Sequence, residues 1–286
     1  MTDKASGERA LSAFGGAMPP RPAWFVGALA QAAERLMVSA DGVDLELLCW
    51  GERGRPGLLF LPGMGAAASW YEAIAPYFAA DYRCAALSWS GMGRSGWRDY
   101  YAVADAADEI DAAIEAGGLD PDGRLPVVIA HSFGTTGAAN WARQRRDAPA
   151  LILIDRIQID PDSGWRPPSP QTRPARLFAS PAEALVKFRL TPSQPCENAF
   201  LVDYIAREGM RETQDAHGRP AWRWRFDTTM MARMETPGVD PFRSLPKSTA
   251  FIWGDRSESI VMAARPMWRG GFSRHQASSC PNPVIM

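Results

Sequence analysis

The stretch VVIAHSFGTTGAAN, residues 127–140, sets a serine between a short apolar run and a segment rich in Ala and Gly. A serine hydroxyl becomes a nucleophile when a base takes its proton and fixed N–H groups hold the oxyanion that its attack creates. In the nucleophile-elbow pattern G-x-S-x-G the serine sits on a strained turn between strand and helix, and the flanking residues must be small. Here the five residues are Ala130, His131, Ser132, Phe133 and Gly134, so alanine replaces the first glycine. The other use for Ser132 is as the cap of an ordinary helix. A second stretch, LLFLPGMGAAASW, closes an apolar run with Pro62-Gly63-Met64-Gly65. A glycine-bearing loop after an early strand supplies one oxyanion N–H and the residue after the nucleophile supplies the other, which assigns Met64 and Phe133. Otherwise residues 62–65 form a plain turn.

Other candidate chemistry is weaker. GMGRSG, residues 91–96, matches the dinucleotide fingerprint G-x-G-x-x-G. That fingerprint must open a helix at the first strand–helix turn so that phosphate meets free N–H groups. Here WRDYYAV follows, which does not start a helix, and no nucleotide cofactor is expected. The four cysteines (Cys49, Cys84, Cys196, Cys280) and three histidines (His131, His217, His275) have no zinc-ligand spacing, so no metal is expected. His131 precedes the candidate nucleophile and reads as structural, and His217 reads as a loop residue. Hydrophobic residues make up 46% and charged ones 22%, with a net charge of −1. That composition suits a globular chain with a small-molecule substrate and gives no reason to expect nucleic acid or membrane as partner. The N-terminus lacks the apolar core of a signal peptide, which makes cytoplasmic location with reduced cysteines the expectation. Oligomeric state is not legible.

These residues need a scaffold. AWFVGALAQAAERLM has helical spacing and reads as a docking helix after a loose leader. LMVSADGVDLELLCW is two strand-like runs around the turn signal Asp41-Gly42. GLLFLPG, YRCAALSWSG, LPVVIAHS and ALILID are short apolar strands; SWYEAIAPYFAA, AVADAADEIDAAIEAGG and FGTTGAANWARQRR are the helices between them. Alternation of this kind predicts an α/β fold, a mostly parallel sheet with helices on both faces. After residue 160 the character changes to Pro-rich linker, then a helix with Ser180, Pro181 and Glu183 as a capping box. ENAFLVDYIAREGM reads as another helix, and AWRWRFD alternates aromatic and Arg like an exposed strand or a groove wall. STAFIWG returns to the core pattern. The expected organisation is a leader and docking helix over 1–35, a core over 36–160 and 246–286, and an inserted, mainly helical lid over 161–245. Trp165, Phe178, Phe188, Phe200, Trp222, Trp224 and Phe226 of that lid suit either an apolar pocket or plain packing.

LPGMGAAASW, LSWSGMGRSGW, IAHSFG and FIWGDRSES together resemble the α/β-hydrolase fold family, in its serine-nucleophile, lid-bearing branch of esterases, lactonases and C–C hydrolases. They occur in the family's order over residues 36–261. The resemblance implies a carboxylic ester hydrolase with a Ser-acid-His triad in that chain order and no cofactor. It implies an acid shortly after the Trp-Gly strand end, for which Glu258 is the choice and Asp255 the reserve; Asp155, ending an earlier strand, is a further reserve. Only His275 then follows as base. It lies 17 residues past Glu258 (275 − 258), fewer than the helix and strand that the resemblance implies there would need. Either His275 sits on an irregular tail that folds back to Ser132, or the last strand and its histidine are altered by truncation or a frame change. The second case leaves a weak or inactive member of the fold that binds a small ligand.

Overall fold

The computed structural model describes residues 9–145, 147, 149–155, 175–191, 196–235 and 241–254. The hairpin signal is realised as β1 (Glu34–Ala40) and β2 (Val43–Trp50), antiparallel, joined by Asp41 at φ 46° and Gly42 at φ 73°. Two consecutive left-handed residues are what a primed two-residue turn requires. β3 (Gly57–Leu61), β4 (Arg83–Leu87), β5 (Val127–His131), β6 (Leu151–Ile154) and β9 (Thr249–Ile252) complete a seven-stranded sheet of order β1-β2-β4-β3-β5-β6-β9. From β4 to β9 all neighbours are parallel.

The unbroken apolar runs follow from burial on both faces. Leu59 and Leu61 of β3 and Ala85 and Leu87 of β4 face one core cluster. Leu58, Phe60, Cys84 and Ala86 alternate with them and face the other. Helix α2 (Asp105–Gly117) lays Ile110, Ala113 and Ile114 on the first face and ends at Gly118 in the left-handed region. Helix α3 (Phe133–Arg143) packs there with Ala138 and Trp141, whose indole N–H donates to Asp111 at 2.7 Å.

Two expectations change. The helix read over AWFVGALAQAAERLM stops early: α1 covers only Ala23–Leu29, because Glu34 to Met37 pair with β2 from Glu34↔Cys49 onward. SWYEAIAPYFAA forms two single 3-10 turns, Ala68–Tyr71 and Ala75–Phe78, instead of a helix. Pro76 has no N–H to continue a helical ladder, and Ile74 leaves helical geometry at φ −128°. From residue 9 on, the leader is also less loose than its composition suggests: Leu11 is buried with Phe178, Ala184 and Leu185.

Between β6 and β9 lie α4 (Pro181–Lys187), α5 (Ala199–Glu208) and a separate antiparallel hairpin, β7 (Met210–Gln214) with β8 (Pro220–Trp224). The capping box forms with one shift: Glu183 N–H donates to Ser180 Oγ at 3.2 Å, while the Glu183 carboxylate accepts from Ala179 N–H, one residue before the cap, at 2.9 Å. Trp165 and the Pro-rich linker around it lie outside the described residues.

Candidate active site

Ser132 stands at the end of β5 with φ 49° and ψ −115°, a conformation open to few residues other than glycine. It is one of four non-glycine residues at positive φ among the described residues, with Asp41, Asp122 and Asp155. Its side chain makes no capping hydrogen bond, so the helix-cap use fails. The backbone holds the turn instead. Ser132 N–H donates to the Ile154 carbonyl at 2.9 Å, and the Ser132 carbonyl accepts from Thr135 N–H at 3.0 Å and Thr135 Oγ1 at 2.6 Å.

The tightness explains the glycines. A Cβ on Gly134 would lie 2.7 Å from both the Leu61 and Pro62 carbonyl oxygens, so α3 starts against the end of β3. A Cβ on Gly63 would meet His131 Nδ1 at 3.1 Å and Ser132 Cβ at 3.2 Å. The 62–65 loop and the serine turn are therefore in contact. Among the described residues neither Met64 N–H nor Phe133 N–H donates a backbone hydrogen bond. Phe133 opens α3, where N–H groups lack helical partners and the dipole favours negative charge. Met64 is exposed. Two side chains not singled out from sequence fix this loop. The Trp89 indole N–H donates to the Pro62 carbonyl at 2.9 Å, with its ring edge-on to Phe133 at 6.2 Å. Tyr71 O–H donates to the Leu61 carbonyl at 3.0 Å.

His131 is half-buried beside Gly63, and burial lowers its pKa while the charge of Asp155 acts in the opposite sense. Asp155 follows β6 at φ 45°, with its N–H on the Ile252 carbonyl at 2.9 Å and a carboxylate oxygen accepting from Gly254 N–H at 3.2 Å. Ser132, His131, the 62–65 loop and Asp155 thus come together at the carboxyl edge of the sheet. Glu258, Asp255 and His275 lie outside the described residues. His217 is in the exposed β7–β8 turn, its N–H bonded to Asp215, as expected of a loop residue. An apolar cavity of about 30 Å³ behind Phe133, lined also by Trp89, Tyr101 and Met230, has room for little more than a water.

GMGRSG is a tightly folded loop. Gly91 N–H donates to the Gly96 carbonyl at 2.7 Å, and a Cβ on Gly93 would lie 2.5 Å from Ser88 Oγ and 2.7 Å from Glu46 Oε2. Among the described residues no group of three or more His, Cys, Asp or Glu is placed to hold a metal ion.

A family model described as "Alpha/beta hydrolase family" matches residues 58–282. The chain belongs to the α/β-hydrolase family. A curated relative of this α/β-hydrolase chain is the 2-heptyl-3-hydroxy-4-quinolone dioxygenase AqdC2 of Rhodococcus erythropolis, 32% identical over 127 residues. That match covers 42% of this chain and 45% of the relative, so the chain spans less than half of that protein's length. Among solved structures, a thioesterase domain from the curacin biosynthetic pathway superposes with a TM-score of 0.62 at 21% identity, over 82% of this chain and 86% of that one. An alpha/beta hydrolase from Novosphingobium aromaticivorans DSM 12444 gives 0.55 at 19% identity, over 80% and 96%. At these identities the structures speak for the fold. Among the described residues no helix is long and apolar enough to cross a membrane.

Proposed function

We propose that the protein is a serine hydrolase acting on a small carboxylic ester or related acyl substrate. Ser132 Oγ attacks the carbonyl carbon, the Met64 and Phe133 N–H groups hold the oxyanion, and a histidine takes the serine proton and returns it to the leaving group. Water then releases the acid. His275 fills the base role and Glu258 orients it; Asp155 is the described carboxylate that stands nearest this task, with Asp255 a further choice. The segment between β6 and β9 serves as a lid over the acyl pocket, and the protein works in the cytoplasm on a soluble small molecule without cofactor. The observation that carries the reading is Ser132 held at φ 49° and ψ −115° with its hydroxyl unused as a cap. Such strain persists only where the surroundings enforce it, and it gathers at functional sites. The test is hydrolysis of a p-nitrophenyl ester by the native chain and by Ser132→Ala. Loss of turnover in the variant supports the assignment, and equal turnover in both defeats it. Ligand binding without product would instead mark an inactive member of the fold.

The relative named as a dioxygenase favours a second reading, in which a hydroxyquinolone-like aromatic and O2 are the substrates. Oxygen uptake on adding a 3-hydroxy-4-quinolone, with no release of nitrophenol from the ester, would select it.

A further inference from the structure

The alternation in AWRWRFD sorts two chemistries onto two faces of the hairpin. Trp222 and Trp224 pack into a cluster with Phe178 and Leu185. Arg223 points from the other face and stands directly opposite Arg211 of β7. Like charges opposite one another on an antiparallel pair are destabilising, so this pairing needs a reason. Both guanidiniums lie against the Trp97 ring of the loop after β4, at 4.6 Å for Arg223 and 5.8 Å for Arg211. The hairpin is tied to that loop where Asp227 N–H donates to the Gly91 carbonyl at 2.7 Å.

No carboxylate lies within ion-pair distance of Arg211 or Arg223 among the described residues, and Arg223 Nε is buried without a partner there. Glu212 alternates to the opposite face of β7. Asp227 is engaged by Arg233, Tyr101 and Thr229. Glu208 serves Arg94 at 3.7 Å, and its carbonyl accepts from Arg225. Burial, and after it the neighbouring Arg211, lowers the Arg223 pKa, while the charge of Asp227 acts in the opposite sense.

We infer that Arg211 and Arg223, stacked on Trp97, form a binding site for the oxyanion of a small molecule, a carboxylate or a phosphate monoester. Guanidinium forks match both groups bidentately, and an aromatic plate holds the forks in place. An anion between the two arginines offsets the repulsion between them. The inference does not rest on the ester reading.

Titration calorimetry of the full chain at low ionic strength, with inorganic phosphate and separately with benzoate, tests this. The native chain should bind at least one of them, and the one it prefers distinguishes a phosphate from a carboxylate source. Arg211→Gln, at an exposed position, should weaken that binding roughly ten- to hundred-fold, the range expected for losing charge-assisted hydrogen bonds. Arg223→Lys keeps the charge and loses the fork, and should also weaken it; Arg55→Gln, elsewhere on the surface, should leave it unchanged. No heat from either anion with native protein, or equal affinity in Arg211→Gln, overturns the inference. So does an Arg223→Lys variant whose melting temperature falls while its affinity is untouched, since the stack would then be only a clasp between hairpin and loop.

Discussion

Replacing Gly134 with alanine puts the contact between the serine turn and the end of β3 under direct strain. The new Cβ would lie 2.7 Å from two carbonyl oxygens, Leu61 and Pro62. Both are backbone atoms of a strand end clamped by Tyr71 and Trp89, so no flexible side chain can move aside. The start of α3 must shift by roughly half an ångström or β3 must yield, and overpacking of this kind costs about 1–3 kcal/mol. For a chain of this size that is a melting temperature lower by roughly 2–10 °C. Gly27→Ala is the matched control. It lies within α1 with nothing within 4 Å of its would-be Cβ, and alanine there should stabilise by about 0.5–1 kcal/mol. Calorimetric melting of the two variants beside the native chain gives the answer. Gly134→Ala should also slow covalent labelling of Ser132, because the displaced turn carries the hydroxyl and the Phe133 N–H. A Gly134→Ala protein that melts with the native chain and labels at the native rate would refute the contact and the elbow geometry built on it.

Ser132→Gly should raise the melting temperature. Relief of backbone strain is worth about 1–3 kcal/mol, and the extra chain entropy of glycine removes about 0.5–1 of it; a drop in melting temperature would show that the turn is unstrained. Glu72 supplies a pH-dependent test. Burial, helped by the charge of Glu208, pushes its carboxyl from 4.5 up to about 7, against the pull of Arg35 and Arg94, while it also accepts from Tyr204 O–H. A carboxyl whose pKa is raised on folding holds its proton more tightly when folded, so stability falls as pH rises from about 4.5 through 7. The full loss is at most about 3 kcal/mol. Glu72→Gln should therefore be more stable than the native chain at pH 8 and gain nothing at pH 4; the same difference in melting temperature at both would defeat this.

The strands and the elbow were legible because their signals are local. A strand buried on both faces must be apolar throughout, as 58–61 and 84–87 are, and Ala130 to Gly134 carry small residues where β3 comes close. The capping box at Ser180 was legible for the same reason. The early end of α1 was not, because residues 34–37 are claimed by pairing with β2. The Trp89 clamp on Pro62 spans 27 positions and the Tyr101–Asp227 hydrogen bond 126, distances at which no spacing rule operates. Asp155 read as a reserve acid from its place after a strand; its left-handed backbone and its influence on His131 emerge only when β5, β6 and β9 lie side by side.

Whether Ser132 is an activated nucleophile is decided by intact-mass analysis after treatment with a fluorophosphonate probe. One covalent adduct is expected on the native chain and none on Ser132→Ala. A folded native chain that takes up no probe would contradict it.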